Sequence, residues 1–363
     1  MASFTGSHAG SESPDFGAFV FSLDFELHWG VRDHAAPDGP YRANLLGARM
    51  VIPRILELFE RYRVSGTWAT VGFLFASSRR ELEMFRPAIL PAYANSRLNP
   101  YDEPVGTGEE EDPLHYAASL IERIRQYPDQ EIATHTFSHF CCLEPGQTQA
   151  AFEADLDSAI AIARKRGVEL SSIVFPRNQV NASYKQMLLA KGIVSYRGCE
   201  RGWMHRPIPQ RQTNIALRAS RLVDSYVRVS APKVVPWPEI PEPNGLCNVR
   251  ASRFLRPVRS GWKRLEQLRL QQIKAEMDAA AAEHRIFHLW VHPHNFGANI
   301  EDNLSFLEAI LEHFVHCRDR YGMSSLSMLG VAQHVLGRRS AASPTVEHRF
   351  NSALPIHPAQ SPA

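Results

Sequence analysis

The sequence predicts an α/β protein: a distorted (β/α) barrel of about seven parallel strands with helices outside. Three observations lead there. Short apolar β runs alternate with amphipathic helical stretches along most of the chain, and 363 residues suit one decorated α/β domain. Ionisable residues also gather where the β runs end, as they do on the active face of a parallel barrel. A doubly wound open sheet is the alternative, but no glycine-rich phosphate loop follows the first strand.

Strands are expected at 18–25, 64–71, 130–134, 171–175, 193–197, 222–229, 285–291 and 324–327. Helices are expected at 45–62, 114–126, 148–166, 182–191, 262–283 and 303–320. The barrel would occupy 17–337, between disordered tails at 1–16 and 338–363 that hold too little apolar surface to order themselves. Two insertions interrupt it. Residues 79–113, rich in Pro and charge and ending in Glu109–Asp112, read as a lid or a disordered loop. Residues 201–261 are rich in Arg and Pro with Trp203, Trp237 and Phe254 interleaved.

Composition excludes several functions. Forty basic and 38 acidic residues leave a net charge of +2, so no global field favours nucleic acid, and no nucleic-acid motif is present. The first residues carry neither a basic n-region nor an apolar h-region, and no run is long enough to span a membrane, which predicts a cytoplasmic protein. Five cysteines without a C-x-x-C pair indicate neither a disulfide framework nor a thiolate zinc site. The stripe Trp262, Leu265, Leu268 and Ile273 beside Arg and Lys reads as a barrel-covering helix, with peripheral docking of 254–273 on an anionic membrane as the sharper alternative.

The chemistry-bearing residues follow in order. In Ala18–Gly30 the alternation of a strand puts Asp24, Glu26 and His28 on one face and Leu23, Phe25 and Leu27 on the other. Ile132–His139 places His135 and His139 four apart, where a helical turn would aim both imidazoles at one divalent ion. With a carboxylate from Glu26 or Asp24 they make a two-histidine, one-carboxylate set with open positions. Arg177, after the strand ending at Phe175, can pair with a carboxylate and keep it ionised. In Arg285–Asn295, His288, Trp290 and His292 share a face, and His294 follows.

These motifs, in this order over residues 17–330, resemble the polysaccharide deacetylase family, the NodB-homology or carbohydrate esterase 4 group, including its cytoplasmic relatives in surface-polysaccharide synthesis. The resemblance rests on Ser22–Glu26, Gly66–Gly72, His135 with His139, Pro176–Arg177 and Leu289–His292. The family's common motif has adjacent acids, whereas Phe25 intervenes here; the Pro–Arg order is reversed, and Trp290 stands where leucine is usual. The resemblance implies one divalent metal ion, Zn2+ first, with Co2+, Ni2+ or Mn2+ as alternatives. Glu26, His135 and His139 look like its ligands, and Asp24 like the general base on a metal-bound water, oriented by Arg177. His292 looks like the general acid, with His294 its rival; Trp68, Asn178, Trp290 and His294 fall to the substrate pocket, and His28 to its wall or support. The reaction implied is hydrolysis of an acetyl or formyl group from an N-acylated amino sugar, nucleotide-linked or lipid-linked, in O-antigen-like biosynthesis at or near the inner face of the membrane. Two other readings accompany it: an inactive barrel serving as a binding or scaffold protein, and an amidohydrolase for a cyclic amide or acylated polyamine.

Overall fold

The computed structural model describes residues 14–209, 212, 215–226 and 233–342. Among them run nine strands: β1 (Ala18–Phe25), β2 (Gly66–Thr70), β3 (Glu131–Thr134), β4 (Ser172–Ile173), β5 (Ser195–Tyr196), β6 (Cys247–Asn248), β7 (Arg253–Phe254), β8 (Ile286–Val291) and β9 (Ser324–Ser325). All their pairings are parallel, in the order β6-β5-β4-β3-β2-β1-β8-β7, with β9 beside β1 at Ala18 and Phe19 only.

The segment 249–252 joins the two ends of that order. Val249 N–H donates to the Tyr196 carbonyl and Ala251 N–H to that of Gly198, both at 2.9 Å, while Ser252 N–H donates to His288 at 2.8 Å. β6 and β7 are thereby two halves of one strand position, and the sheet curls into the expected distorted barrel. The insertion expected at 201–261 is therefore partly barrel wall. Its two short strands are too brief for a periodicity to show in sequence.

Helices cover the outside: α1 (Arg42–Tyr62), α2 (Arg79–Met84), α3 (Ala118–Arg125), α4 (Gln149–Lys165), α5 (Ile215–Tyr226), α6 (Lys263–Ala282), α7 (Pro293–Phe296), α8 (Ile300–Tyr321) and α9 (Met328–Ala342). The strand expected at 222–229 is helical through Tyr226, and residues 227–229 lie outside the described part. Packing decided this, because α5 lies against α6, where the Tyr226 hydroxyl donates to Glu266 at 3.0 Å. The helix expected at 182–191 is two 3-10 turns, Tyr184–Met187 and Leu189–Lys191, ended by Gly192 at φ 84°. Of the expected tails, residues 1–13 and 343–363 lie outside the described part; Phe16 packs edge-on against Trp237, and α9 runs on through Ala342.

Strand alternation splits the core into two layers. Phe19, Phe21, Leu23 and Phe25 of β1 face the helices, each fully buried and worth about 1.5–3 kcal/mol of transfer free energy. Ala18 and Val20 face the barrel axis with Ala69, Val174, Val249 and Ile286. Met328, Val331 and Ala332 of α9 join that inner cluster and close the barrel at the amino-terminal ends of its strands. The other end is left for a cavity.

The 79–113 insertion is a packed structure. Arg32 Nη2 donates to the Leu98 carbonyl at 2.5 Å, and the Tyr93 hydroxyl accepts from Cys141 N–H at 2.8 Å. Its acidic run is spent locally: Glu109 pairs with Arg49, and Asp112 accepts from His115.

Candidate active site

The first functional side chains come from the end of β1. Asp24 is its last inward residue, in register with Ala69 of β2. The strand stops at Phe25, and Leu27, at φ 45°, breaks the alternation expected to carry through His28. Glu26 nonetheless stays beside Asp24 over the barrel mouth. A Cβ on Gly30 would sit 2.0 Å from the Glu26 carboxyl, so only glycine leaves room for it.

His135 and His139 follow β3 on a turn that is not helical, since Thr136 and His139 lie at φ 63° and 56°. The expected helical i, i+4 face is absent, yet both rings reach the same point. Asp155 of α4 ties the turn down, accepting N–H bonds from Phe137 at 2.7 Å and Ser138 at 3.2 Å together with the Ser138 hydroxyl. His139 Nε2 and His135 Nε2 stand 3.1 and 3.3 Å from one oxygen of Glu26, and the three donor atoms lie within 4.8 Å of one another.

This donor set fits a divalent ion. His135 Nδ1 faces the Val174 carbonyl at 2.8 Å, which can only accept, so that nitrogen carries a proton and Nε2 is the atom left to coordinate; that buried Nε2 has no hydrogen-bond partner. Burial holds His139 down at about 4 against the pull of Glu26, keeping it neutral at physiological pH. Burial alone would raise the Glu26 carboxyl, but His292, His135 and His139 hold it well below its ordinary value. Two imidazoles facing a carboxylate are the usual make-up of an N2O zinc site, with the His135–Val174 bond fixing one ligand's orientation.

Asp24 is held by Arg197 and not by Arg177. Arg197 Nη1 and Nη2 donate to its two oxygens at 2.6 and 2.7 Å, with both side chains buried. Burial opposes ionisation of Asp24, and the charge and hydrogen bonds of Arg197 outweigh it, setting the carboxyl below its ordinary value. Arg177 instead pairs with Asp33 at 2.7 Å on the cavity wall. The reason is the curl of the barrel: Arg197 follows β5 two residues after inward-facing Ser195, so its side chain crosses the axis to β1. A sequence signal for it existed, an arginine ending an expected strand in phase with a small polar residue. Asn178 accepts from Arg197 Nη2 at 3.1 Å and also lines the cavity. His288, read only as sharing a face with His292, lies below this level; its Nε2 meets Ser22 Oγ at 2.8 Å, and Ser22 accepts from Arg197 at 3.0 Å.

The turn after β8 supplies the remaining histidines. His292 Nε2 lies 3.7 Å from Asp24 and 3.5 Å from Glu26, and its side chain is 22% exposed. His294 is buried and stacks on His292 at 5.0 Å, with burial pushing it down to about 3. α1 positions this turn, because Gly47 meets Gly297 so closely that a Cβ on Gly47 would lie 2.0 Å from the Gly297 carbonyl. Trp290 lines the cavity, its ring 4.2 Å from the Arg197 guanidinium. Trp68 does not reach the cavity. In register with Leu23, it faces the helix layer, fully buried, and donates to Gln130 at 3.1 Å.

These groups open into a cavity of about 900 Å³ walled by residues 30–41, 177–179, 199–208 and 251–256 together with Trp290, His292 and His294. Tyr41 sits on its rim, donating to Asn295 at 3.1 Å; burial, then the Glu26 charge, pushes its hydroxyl up to about 12.

No protein-family model matches this chain, and no curated protein matches its sequence. Among solved structures it is similar to a protein described as a polysaccharide deacetylase from Mycobacterium smegmatis, at 15% identity and a TM-score of 0.51 over 90% of this chain and 93% of that one. It is similar to another so described from Pseudomonas aeruginosa PAO1, at 12% identity and a TM-score of 0.50 over 87% and 90%. The Puue allantoinase aligns at 11% identity and a TM-score of 0.51 over 95% and 100%. The likeness is one of fold, and it is the fold that the motif resemblance led us to expect.

Proposed function

We propose that this chain is a metal-dependent hydrolase that removes an N-acyl group, acetyl or formyl, from an amino sugar. The observation that carries the reading is the bidentate Arg197–Asp24 pair set beside the Glu26, His135 and His139 donors at the barrel mouth. A divalent ion bound by those donors supplies Lewis acidity to the acyl carbonyl and acidifies the attacking water. The residues do the rest. Asp24, kept ionised by Arg197, takes the proton of the water as it attacks, and both Asp24 oxygens stay oriented because both are bonded to one guanidinium. His292, partly exposed and facing both acids, donates a proton to the departing amine, which is otherwise a poor leaving group. His294, stacked behind it, positions that ring. Products are the free amino sugar and acetate or formate.

The cavity supports a sugar carried on a phosphate. Arg206 and Arg256 line it beside the Arg177–Asp33, Arg253–Glu276 and Lys233–Asp224 ion pairs and suit the phosphate of a nucleotide-linked or lipid-linked substrate, and Trp290 with Phe254 offers aromatic surface for a ring. No helix of the described residues is long and apolar enough to cross a membrane. Exposed Trp262, just before α6, with Leu265 and Leu268 on it, supports peripheral contact with the inner face of a membrane in the cytoplasm, which co-sedimentation with anionic vesicles checks. The deciding experiment screens N-acyl nucleotide sugars, lipid-linked sugars and, because an allantoinase shares the fold, cyclic amides, with products read by mass spectrometry. Loss of an acyl mass from an amino sugar, absent in Asp24→Asn, is the expected result. A chain that binds the ion and a sugar but releases no acyl group is the scaffold barrel instead.

A further inference from the structure

His28 stands two residues beyond Glu26 and takes no part in the site above. The turn at Leu27 sends its ring into the insertion between β2 and α3, where His28 Nδ1, Glu103 Oε1 and His115 Nε2 lie within 4.8 Å of one another. The two imidazole nitrogens are 2.9 Å apart, and the Glu103 oxygen is 3.4 and 3.6 Å from them. Each ring has already committed its other nitrogen. His28 Nε2 faces the Ala35 carbonyl at 2.9 Å, which can only accept, and His115 Nδ1 faces the Asp112 carboxylate at 2.7 Å. In neutral rings the protons therefore sit on those outer nitrogens. Two lone pairs then point at each other beside a carboxylate oxygen, an arrangement that a cation between them, metal ion or proton, makes attractive.

We propose that His28, Glu103 and His115 form a second site for a divalent transition-metal ion, distinct from the catalytic donors. Two imidazoles and a carboxylate are a zinc-like set, and the bond from His115 to Asp112 is the carboxylate–histidine support that metal-ligating histidines use. The two histidines are buried, and Glu103, 16% exposed in its side chain, opens the site to solvent. The ion's place in the architecture is a clasp. It ties the insertion to the loop whose Val31, Ala35 and Ala36 wall the cavity, alongside the bonds from Trp29 Nε1 to the His115 carbonyl and from His28 N–H to that of Leu114. The insertion expected to be a lid or a loose loop is thereby fastened behind the loop that walls the pocket.

The test titrates the chelator-stripped full-length protein with zinc alone and counts ions per chain by plasma mass spectrometry after desalting. Two ions are expected, with one lost in His115→Ala and the other in the His135→Ala, His139→Ala double variant. Glu103→Gln, at a partly exposed position, keeps the fold and weakens the second ion about ten- to a hundredfold; unchanged affinity there overturns the site. A single ion in the wild type, kept in His115→Ala and lost in the double variant, also overturns it and leaves the imidazole contact to a shared proton. A single ion lost in His115→Ala but kept in the double variant sinks the catalytic reading and supports this one.

Discussion

Glu26 with His135 and His139, and His28 with Glu103 and His115, are each two imidazoles around one carboxylate, and both begin where β1 ends. The first is assembled at the carboxyl ends of barrel strands, so β-sheet register brings it within reach of Asp24, Arg197 and His292 and of an open cavity. The second is assembled from a loop and an insertion, with Asp112 and the Ala35 carbonyl as its neighbours. The difference teaches that a donor set alone does not make a catalytic centre. A base held ionised and an acid exposed to substrate do, and only the first cluster has them.

The largest effect that can break this contrast is on turnover. Asp24→Asn is expected to lower kcat by about 10²- to 10⁴-fold while the zinc content stays at the wild-type count. Loss of zinc in Asp24→Asn but not in Glu26→Gln would falsify the division of roles between the two acids. Next comes Arg197→Ala, which leaves the Asp24 charge buried and unpaired; chemical denaturation should show a loss of about 3–5 kcal/mol together with low activity. Arg177→Ala, breaking its contact with Asp33, is expected to cost less in the same melt and to raise KM more than it lowers kcat. Equal losses would mean that Arg177 also serves Asp24.

The turn of the first cluster has its own signature in pH. Burial raises the Asp155 carboxyl to about 7, against the bonds from Ser138 and Phe137 that lower it, so the folded state holds a proton the unfolded chain has released. Stability from this group is present below about pH 4 and is lost as pH rises toward 7, with a ceiling of about 4 kcal/mol. Asp155→Asn should flatten the fall of unfolding free energy between pH 4 and 7, measured by urea titration. An unchanged slope shows that the carboxyl is ionised throughout. At the second cluster, Asp112→Asn is expected to weaken zinc about ten- to a hundredfold and to change kcat far less than Asp24→Asn does. Smallest of all, Leu268→Lys on exposed α6 should shift stability within about 0.5 kcal/mol, and reduced vesicle binding there would support the membrane contact.

Much of the first cluster was legible because strand alternation and strand-end placement are local properties. Asp24, Glu26, His135, His139 and His292 all announce themselves as ionisable residues where an apolar run stops. Arg197 carries the same signal, but the Pro–Arg turn that matches the family motif belongs to Arg177. Which of the two crosses the axis depends on the curl of the barrel, which no local pattern encodes. Trp68 falls at a pocket position of the motif, and its register with Leu23 turns it to the helix layer. Glu103 and His115 were invisible as partners, since 75 or more residues separate them from His28 and only the packed insertion brings them together.

The sequence by itself determined the alternation of β and α elements, the inward and outward faces of β1, and the kinds of side chain available at the barrel mouth. Those follow from backbone periodicity and hydrophobic burial, which act over a few residues. The tertiary structure alone decided which arginine holds Asp24, that β6 and β7 close the barrel, and that a second cluster of two imidazoles and a carboxylate stands beside the expected one. Such pairings depend on the distance between segments remote in the chain, and that distance is set only when the sheet has curled and the insertion has docked.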